Sequence, residues 1–161
     1  MSAFALWKTA HILSAAILFG SGLGTAFFCW FGYRFAVRSG DIAALRSVLR
    51  LTVIADAIFT TPAVIFQVVS GIVLMRLLGW PYISEWSVAA ALLFVLVGAC
   101  WLPVVAIQRR LERDARQAAS VAALPVVFHR LFRAWFALGI PAFAAVVIIV
   151  YLMVAKPLAP A

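Results

Sequence analysis

A membrane architecture is already evident in Leu6-Trp-Lys-Thr-Ala-His11-Ile-Leu-Ser-Ala-Ala-Ile-Leu-Phe-Gly20-Ser-Gly-Leu-Gly24-Thr-Ala-Phe-Phe-Cys-Trp30, a stretch apolar enough to enter a bilayer. It carries a lysine and a histidine three residues apart near its start, and a glycine-rich stripe at its middle. Ionisable groups in a membrane span are costly and usually functional. We therefore expect this first helix to take part in whatever the protein does.

The composition of the whole chain agrees with that stretch. Of the 161 residues, 67% are hydrophobic and 11% charged, which leaves too few polar groups to cover a soluble globule. The formal charge of +8 comes from basic residues placed between apolar runs rather than on one solvated face, which argues against nucleic-acid binding. The first apolar run is too long for a cleavable signal peptide, so we expect it to remain as a span.

Four runs are long enough to cross about 30 Å of hydrocarbon, which takes roughly 20 residues. They cover about residues 9–33, 51–75, 86–107 and 134–154. The pattern predicts an all-α integral membrane four-helix bundle, formed by one transmembrane domain over residues 1–161. Two long linkers, 34–50 and 108–133, lie on one side, and a short turn lies on the other.

The linker after the third span resembles a helical continuation of that span. Glu112 and Arg116 have the i, i+4 spacing of a helical ion pair. We expect this helix to end near Ser120, and Pro125 suits the first turn of the next helix.

The basic residues predict the orientation, because Lys and Arg beside spans are retained in the cytoplasm. Ten of the thirteen lie in the two long linkers, and only Lys8, Arg76 and Lys156 lie on the opposite side. We therefore expect a multi-pass protein of the bacterial inner membrane with both termini on the outer, periplasmic side. The ten are Arg34, Arg38, Arg46, Arg50, Arg109, Arg110, Arg113, Arg116, Arg130 and Arg133.

Polar groups in the outer half of the bundle form the first candidate site. Lys8 and His11 share one face of the first helix, Gln67 lies slightly outward of the middle of the second, and Glu85 opens the third. We treat these four residues as candidate cofactor-binding groups. His11 is also a candidate ligand for haem iron, because a neutral imidazole binds that metal well. The alternative is that His11 only hydrogen-bonds a neighbouring helix.

His129 is not an easy second axial ligand, because the first and fourth helices start on opposite sides of the membrane. Asp56, near the inner end of the second span, is the centre of a second candidate site. Its expected counter-charges are Arg50, Arg130 or Arg133, and the alternative is a role in proton relay.

Gly20 and Gly24 form a GxxxG step. Such steps let two helices, or a helix and a flat macrocycle, approach closely, so this face is also a candidate homo-oligomer contact. Pro62, Pro103 and Pro141 should kink or loosen the second, third and fourth helices.

Lys8-x-x-His11-Ile12, followed by Phe19-Gly20, resembles the first span of HemJ-type protoporphyrinogen oxidases and of the CopD-like small membrane proteins. Over its full length the chain resembles a bacterial family of four-span integral membrane proteins of unknown function, placed near that group. The shared stretches are Pro62-Ala-Val-Ile-Phe-Gln67-x-x-x-Gly71, Trp101-x-Pro103, Arg133-x-Trp135-Phe136-x-x-Gly139-x-Pro141-Ala142 and Leu152-Met-Val-Ala-Lys156-Pro157.

The resemblance implies a bundle in which His11 binds haem b or a porphyrin and Lys8 meets a propionate. HemJ-like proteins carry a second histidine and a lysine near the start of the third span, where this chain has Ser84-Glu85-Trp86-Ser87. Five-coordinate haem, ligation across a dimer and absence of the cofactor therefore stay open. We expect a haem- or porphyrin-binding protein with a redox role, of which a protoporphyrinogen oxidase is one form. The alternative is a non-enzymatic helper or a metal or small-solute permeation component.

Overall fold

The computed structural model describes residues 2–155, and over this range the regular structure is all helical, without strands. Its α-helices are α1 (Ala3–Ser39), α2 (Ile42–Ala55), α3 (Thr61–Leu78), α4 (Glu85–Gln117) and α5 (Val126–Ala155). A π-helical turn, Asp56–Thr60, joins α2 and α3 into one rod, and a short 3-10 turn, Val121–Ala123, lies between α4 and α5. Lys156 and Pro157 lie outside the described residues.

Four helical rods are long and apolar enough to cross a membrane: α1, the combined α2–α3 rod, α4 and α5. Each contains one of the four spans expected from the sequence, so the all-α membrane architecture is confirmed. The rods also continue beyond the apolar runs. Only Gly40 and Asp41 separate α1 from α2, α4 ends three residues before Ser120, and α5 begins directly after Pro125.

Two glycines make the sharp reversals possible. Gly40 ends α1 with a φ of 73°, and Gly79 ends α3 with a φ of 67°. Both values lie in the left-handed region, which costs a glycine nothing because it has no Cβ. The Asp41 carboxylate then accepts a hydrogen bond of 2.9 Å from the backbone N–H of Ala44 and so starts α2.

The bundle has two unlike ends. At the arginine-rich end, α1 and α4 finish while α2 and α5 begin; at the terminal end, α1 and α4 begin while α3 and α5 finish. The main buried cluster lies in the half toward the arginine-rich end, where α2 packs on α1 and on α4. Its members are Cys29, Ala36, Leu45, Leu49, Val104, Leu111, Ala115, Ala118, Leu124, Phe128, Phe132 and Trp135.

Aromatic rings join α1 to α5 within that cluster. The ring of Tyr33 stacks on the ring of Phe132 with a centroid distance of 3.8 Å, and Trp30 meets Phe136 at 4.3 Å. Stacked and tilted pairs at such distances stabilise beyond the area they bury. The segments that read as linkers in the sequence are therefore part of a packed helical core.

Near the terminal end the helices pack as two pairs. There α3 packs chiefly against α1 rather than against α4 or α5, while α4 and α5 pack along most of their length. The indole Nε1 of Trp86 donates a hydrogen bond of 2.9 Å to the carbonyl of Leu152, which fixes the start of α4 to the end of α5. Trp86 is accordingly buried, rather than exposed as an interfacial anchor.

The close approach of α1 and α2 generates a stability prediction at Gly32. A Cβ added there would lie 2.9 Å from one Val48 methyl carbon and 3.2 Å from the Val48 Cβ. We expect Gly32→Ala to destabilise the protein by about 1–3 kcal/mol, the usual cost of overpacking. Thermal unfolding in detergent measures the effect.

Gly98→Ala is the matched control, because an added Cβ at Gly98 meets nothing within 4 Å. The double variant Gly32→Ala/Val48→Ala should recover part of the lost stability. Equal melting temperatures for Gly32→Ala and Gly98→Ala would contradict the proposed contact.

Candidate functional site

His11 lies half-buried on α1 and faces α3. Its Nδ1 is 2.7 Å from the hydroxyl oxygen of Ser70, and that hydroxyl is 2.5 Å from the carbonyl of Phe66. A serine hydroxyl carries a single proton. Because the Ser70 proton is donated to Phe66, the Ser70 oxygen accepts from the Nδ1–H of His11. This network assigns the neutral ring to the Nδ1–H tautomer, which leaves a lone pair on Nε2.

A second hydrogen bond holds the backbone of the same turn. The Gln67 amide Nε2 donates to the carbonyl of His11 at 2.9 Å. Gly71, on the next turn of α3, lies beside the ring, since an added Cβ would be 3.7 Å from His11 Cε1, an ordinary van der Waals contact. Ser70 thus orients the side chain of His11, and Gln67 holds its backbone.

The structure brings only two of the four candidate cofactor-binding residues together. His11 and Gln67 meet, and Ser70 joins them. Lys8 is exposed, and its ammonium lies over the ring of Phe4, 5.8 Å from the centroid, nearer the start of α1. Glu85 is exposed as the first residue of α4, and no contact links it to His11 within residues 2–155.

Hydrogen bonds between α1 and α3 continue beyond His11 toward the arginine-rich end. The hydroxyl of Ser14 donates to the carbonyl of Ala63 at 3.2 Å, and the hydroxyls of Ser21 and Thr60 are 3.2 Å apart. Ser14 and Ser21 are seven residues apart, so they return to one face of the helix. We call this line of contacts from His11 to Thr60 the α1–α3 seam.

Asp56, one turn before Thr60, forms the inner polar site, and its partners are neutral. In the amide orientation that satisfies both neighbours, Gln108 Nε2 donates to Asp56 Oδ2 at 2.9 Å and Gln108 Oε1 accepts from Trp135 Nε1 at 3.0 Å. The buried Trp101 Nε1 has no hydrogen-bond partner among the described residues.

The expected ion pair between Asp56 and Arg50, Arg130 or Arg133 does not form. Within the described part of the chain, the ion pair is Arg110–Asp114 on α4, at 3.7 Å. The side chain of Arg133 is exposed, whereas Asp56 is buried, so the carboxylate is satisfied by an amide inside the bundle. The Glu112–Arg116 pair expected from the spacing is likewise not formed.

The π-helical turn at Asp56–Thr60 ends two residues before Pro62. Proline has no N–H and its ring collides with the carbonyl four residues earlier in a regular α-helix. Here the Thr61 N–H and its hydroxyl both donate to the carbonyl of Asp56, the latter at 2.9 Å. The expected distortion at Pro62 is therefore a π turn, a feature common at functional sites. At Pro103 and Pro141 the helix continues through the proline.

His129 belongs to the opposite end of the molecule. Its Nδ1 is 2.7 Å from the hydroxyl of Tyr33 on α1. Tyr33 follows His11 by 22 residues on the same helix, which corresponds to about 33 Å at 1.5 Å per residue. His129 of the same chain cannot share a metal with His11, as expected.

The GxxxG step faces away from His11. At about 100° per residue, Gly20 is turned about 180° from His11 around the helix. A Cβ added at Gly20 or Gly24 would meet nothing within 4 Å among the described residues, so both positions have space for a larger side chain or a partner. Contact with a second copy stays a prediction.

Sequence reasoning missed Gln108. It follows an apolar run and precedes two arginines, so it resembled the start of a solvated linker. The signal available was its similar depth to Asp56, since both lie near the arginine-rich ends of their spans.

Residues 5–157 match a family described as "predicted integral membrane protein (DUF2269)". This confirms the resemblance to a membrane family of unknown function. The relationship to the HemJ and CopD-like proteins stays a prediction. Neither a curated protein nor a solved structure matches the chain.

The inner polar site generates a stability prediction. Gln108→Leu would leave the buried Asp56 Oδ2 and Trp135 Nε1 without their hydrogen-bond partner, at a cost of about 1–3 kcal/mol. We expect a clear drop in the thermal midpoint in detergent. Gln117→Leu, an exposed glutamine at the end of the same helix, is the control. A Gln108→Leu midpoint equal to that of the control would show that the amide is not needed.

Proposed function

We propose that this chain, which belongs to the DUF2269 family of predicted integral membrane proteins, binds haem b or a porphyrin through His11. The observation that carries the proposal is the hydrogen bond from His11 Nδ1 to Ser70 at 2.7 Å. It leaves Nε2 as the basic nitrogen. Metal-binding histidines are typically held by such a bond on the other ring nitrogen, which fixes both tautomer and ring direction.

The donor set fits haem iron better than a bare metal ion. Residues 2–155 contain no group of three or more His, Cys, Asp and Glu side chains suited to hold a metal. A porphyrin supplies four nitrogens itself, so a single histidine is enough from the protein. His129 pairs with Tyr33, which is about 33 Å from His11 along α1, so a haem held by His11 would take no ligand from His129 of the same chain.

The surroundings of His11 suit a flat aromatic ligand. Trp7, one turn earlier on α1, stacks on Phe66 of α3 with a centroid distance of 6.0 Å, which makes an aromatic surface beside the imidazole. Lys8 is exposed nearer the terminal end, where its ammonium would meet a carboxylate such as a propionate. Gln67 acts on the backbone of His11 rather than on the ligand.

When bound, haem supplies one-electron chemistry, and we infer a redox role for the protein on that basis. The protein's own contribution is to orient Nε2 and to hold the imidazole neutral inside an apolar pair of helices. The oxidase activity of HemJ-type proteins is one form that this role could take.

The distribution of arginines supports a placement in the bacterial inner membrane with the arginine-rich end in the cytoplasm. In that placement His11 lies toward the periplasmic side. The open face at Gly20 and Gly24, which is turned away from His11, supports a homo-oligomer contact separate from the α1–α3 seam.

The first prediction from this proposal concerns colour. Protein purified in detergent from haem-supplied cells, or reconstituted with haemin, should show a Soret band that His11→Ala abolishes, because the iron loses its protein ligand. His129→Ala is the matched control, since it removes the only other histidine. A wild-type protein that takes up neither haemin nor protoporphyrin would overturn the proposal and favour the helper or permeation alternative.

The second prediction concerns Ser70. Ser70→Ala removes the acceptor for Nδ1–H without touching the iron ligand, so haemin affinity should fall about 10–100-fold, as for other partners of ligating histidines. Ser39→Ala is the control, because the Ser39 hydroxyl donates only to Phe35 at the other end of α1. Titration by absorbance measures both. Unchanged affinity in Ser70→Ala would show that the Ser70 bond is only a helix contact.

A further inference from the structure

A cavity of about 350 Å³ lies between α2 and α4 at the arginine-rich end. Three arginines and one acidic residue line it: Arg46, Arg50, Arg116 and Glu112. We propose that this cavity, which we call the α2–α4 cavity, binds the phosphate group of an anionic phospholipid. The proposal is independent of His11, which belongs to the opposite half of the bundle.

The first argument is the fixed position of Arg46. Its Nε donates to the carbonyl of Ala115 at 3.0 Å, and its Nη2 donates to the carbonyl of Ala118 at 2.6 Å. These carbonyls belong to the end of α4, where the helix dipole is negative. The guanidinium is therefore pre-organised at the wall of the cavity, with Nη1 outside these two bonds.

The second argument is uncompensated charge. Within residues 2–155 the ion pair is Arg110–Asp114, so Glu112 lies more than 4 Å from the guanidinium nitrogens of the cavity. Three positive charges and one negative charge leave an excess of two. Arg46 and Arg50 are also neighbours at i, i+4 on α2, where like charges repel. An anion in the cavity relieves this repulsion, and guanidinium groups bind phosphate in a bidentate manner.

The third argument distinguishes a lipid from a soluble phosphate. Arg50 directly precedes the apolar run at 51–75, and Arg46 is one turn further out, which places both within the headgroup layer, about 5–7 Å thick on each side. Continuing at the same four-residue spacing, Ile54 in α2 and Ile58 in the π turn that follows it are 40% and 60% exposed. The series Arg46, Arg50, Ile54, Ile58 thus offers a headgroup contact followed by an apolar track for an acyl chain. Basic pockets between membrane helices bind anionic headgroups in this way.

The test is native mass spectrometry of the detergent-purified full chain with phosphatidylglycerol, cardiolipin or phosphatidylcholine added at equal concentration. The variant Arg50→Gln/Arg116→Gln removes two cavity arginines. We expect its affinity for the anionic lipids to fall about thirtyfold, since each arginine near a lipid surface contributes about fivefold. The control Arg113→Gln/Arg130→Gln removes the same charge from exposed positions outside the cavity and should change affinity little.

Further arms separate the alternatives. Arg50→Lys/Arg116→Lys keeps the charge but loses the bidentate geometry, so an intermediate affinity for the anionic lipids supports the proposal. The same lysine variant replaces the glutamine variant as the test if the latter fails to fold. Equal losses in the cavity and control pairs, or equal binding of phosphatidylcholine, would overturn the proposal. Thermal stabilisation by inorganic phosphate, with none from either anionic lipid, would overturn the lipid assignment in favour of a soluble phosphate.

Discussion

The burial of Phe128 and Phe132 against Tyr33, within the main buried cluster, is the contact on which the rest of the bundle depends. These two rings are 0% and 1% exposed, although they belong to a segment that carries His129, Arg130 and Arg133. An isolated membrane helix gains nothing from moving an apolar side chain out of lipid. Beyond the apolar runs, where water replaces lipid, the hydrophobic effect acts again, and it is there that this core has formed.

Because this core holds the helices together at the arginine-rich end, the helices near the terminal end can pack as two separate pairs. Toward the terminal end, α1 pairs with α3 and α4 with α5, and polar contacts hold the first pair together: His11 with Ser70, Ser14 with the Ala63 carbonyl, Ser21 with Thr60. In a membrane each such group must be satisfied inside the protein. The seam therefore fixes the register of α1 against α3 as well as the direction of the His11 ring.

The sequence was sufficient for the four spans, because about 20 consecutive apolar residues have few alternatives to crossing a bilayer. It also predicts that His11 and Gln67 lie in the same half of the bundle, and the structure brings them together. It could not reveal that 34–50 and 108–133 pack into a core, since arginines at helical spacing look the same on a solvated linker and on the outer face of a helix. The negative charge of Asp56 predicts an arginine partner, whereas in the structure its partner is the Gln108 amide. This pairing depends on how the α2–α3 rod packs against α4, which the sequence does not reveal.

The place where the second histidine of HemJ-like proteins would be expected has a different use here. Ser84 accepts from the Ser87 N–H at 3.3 Å, and Ser87 accepts from the Ser84 N–H at 2.9 Å, so the two serines form a capping box that starts α4. Trp86 between them holds α4 to α5 through Leu152. These residues thus start α4 and pack it against α5, and Glu85 in the same turn is exposed. A haem bound as proposed would therefore depend on His11 and would take no ligand from residues 84–87.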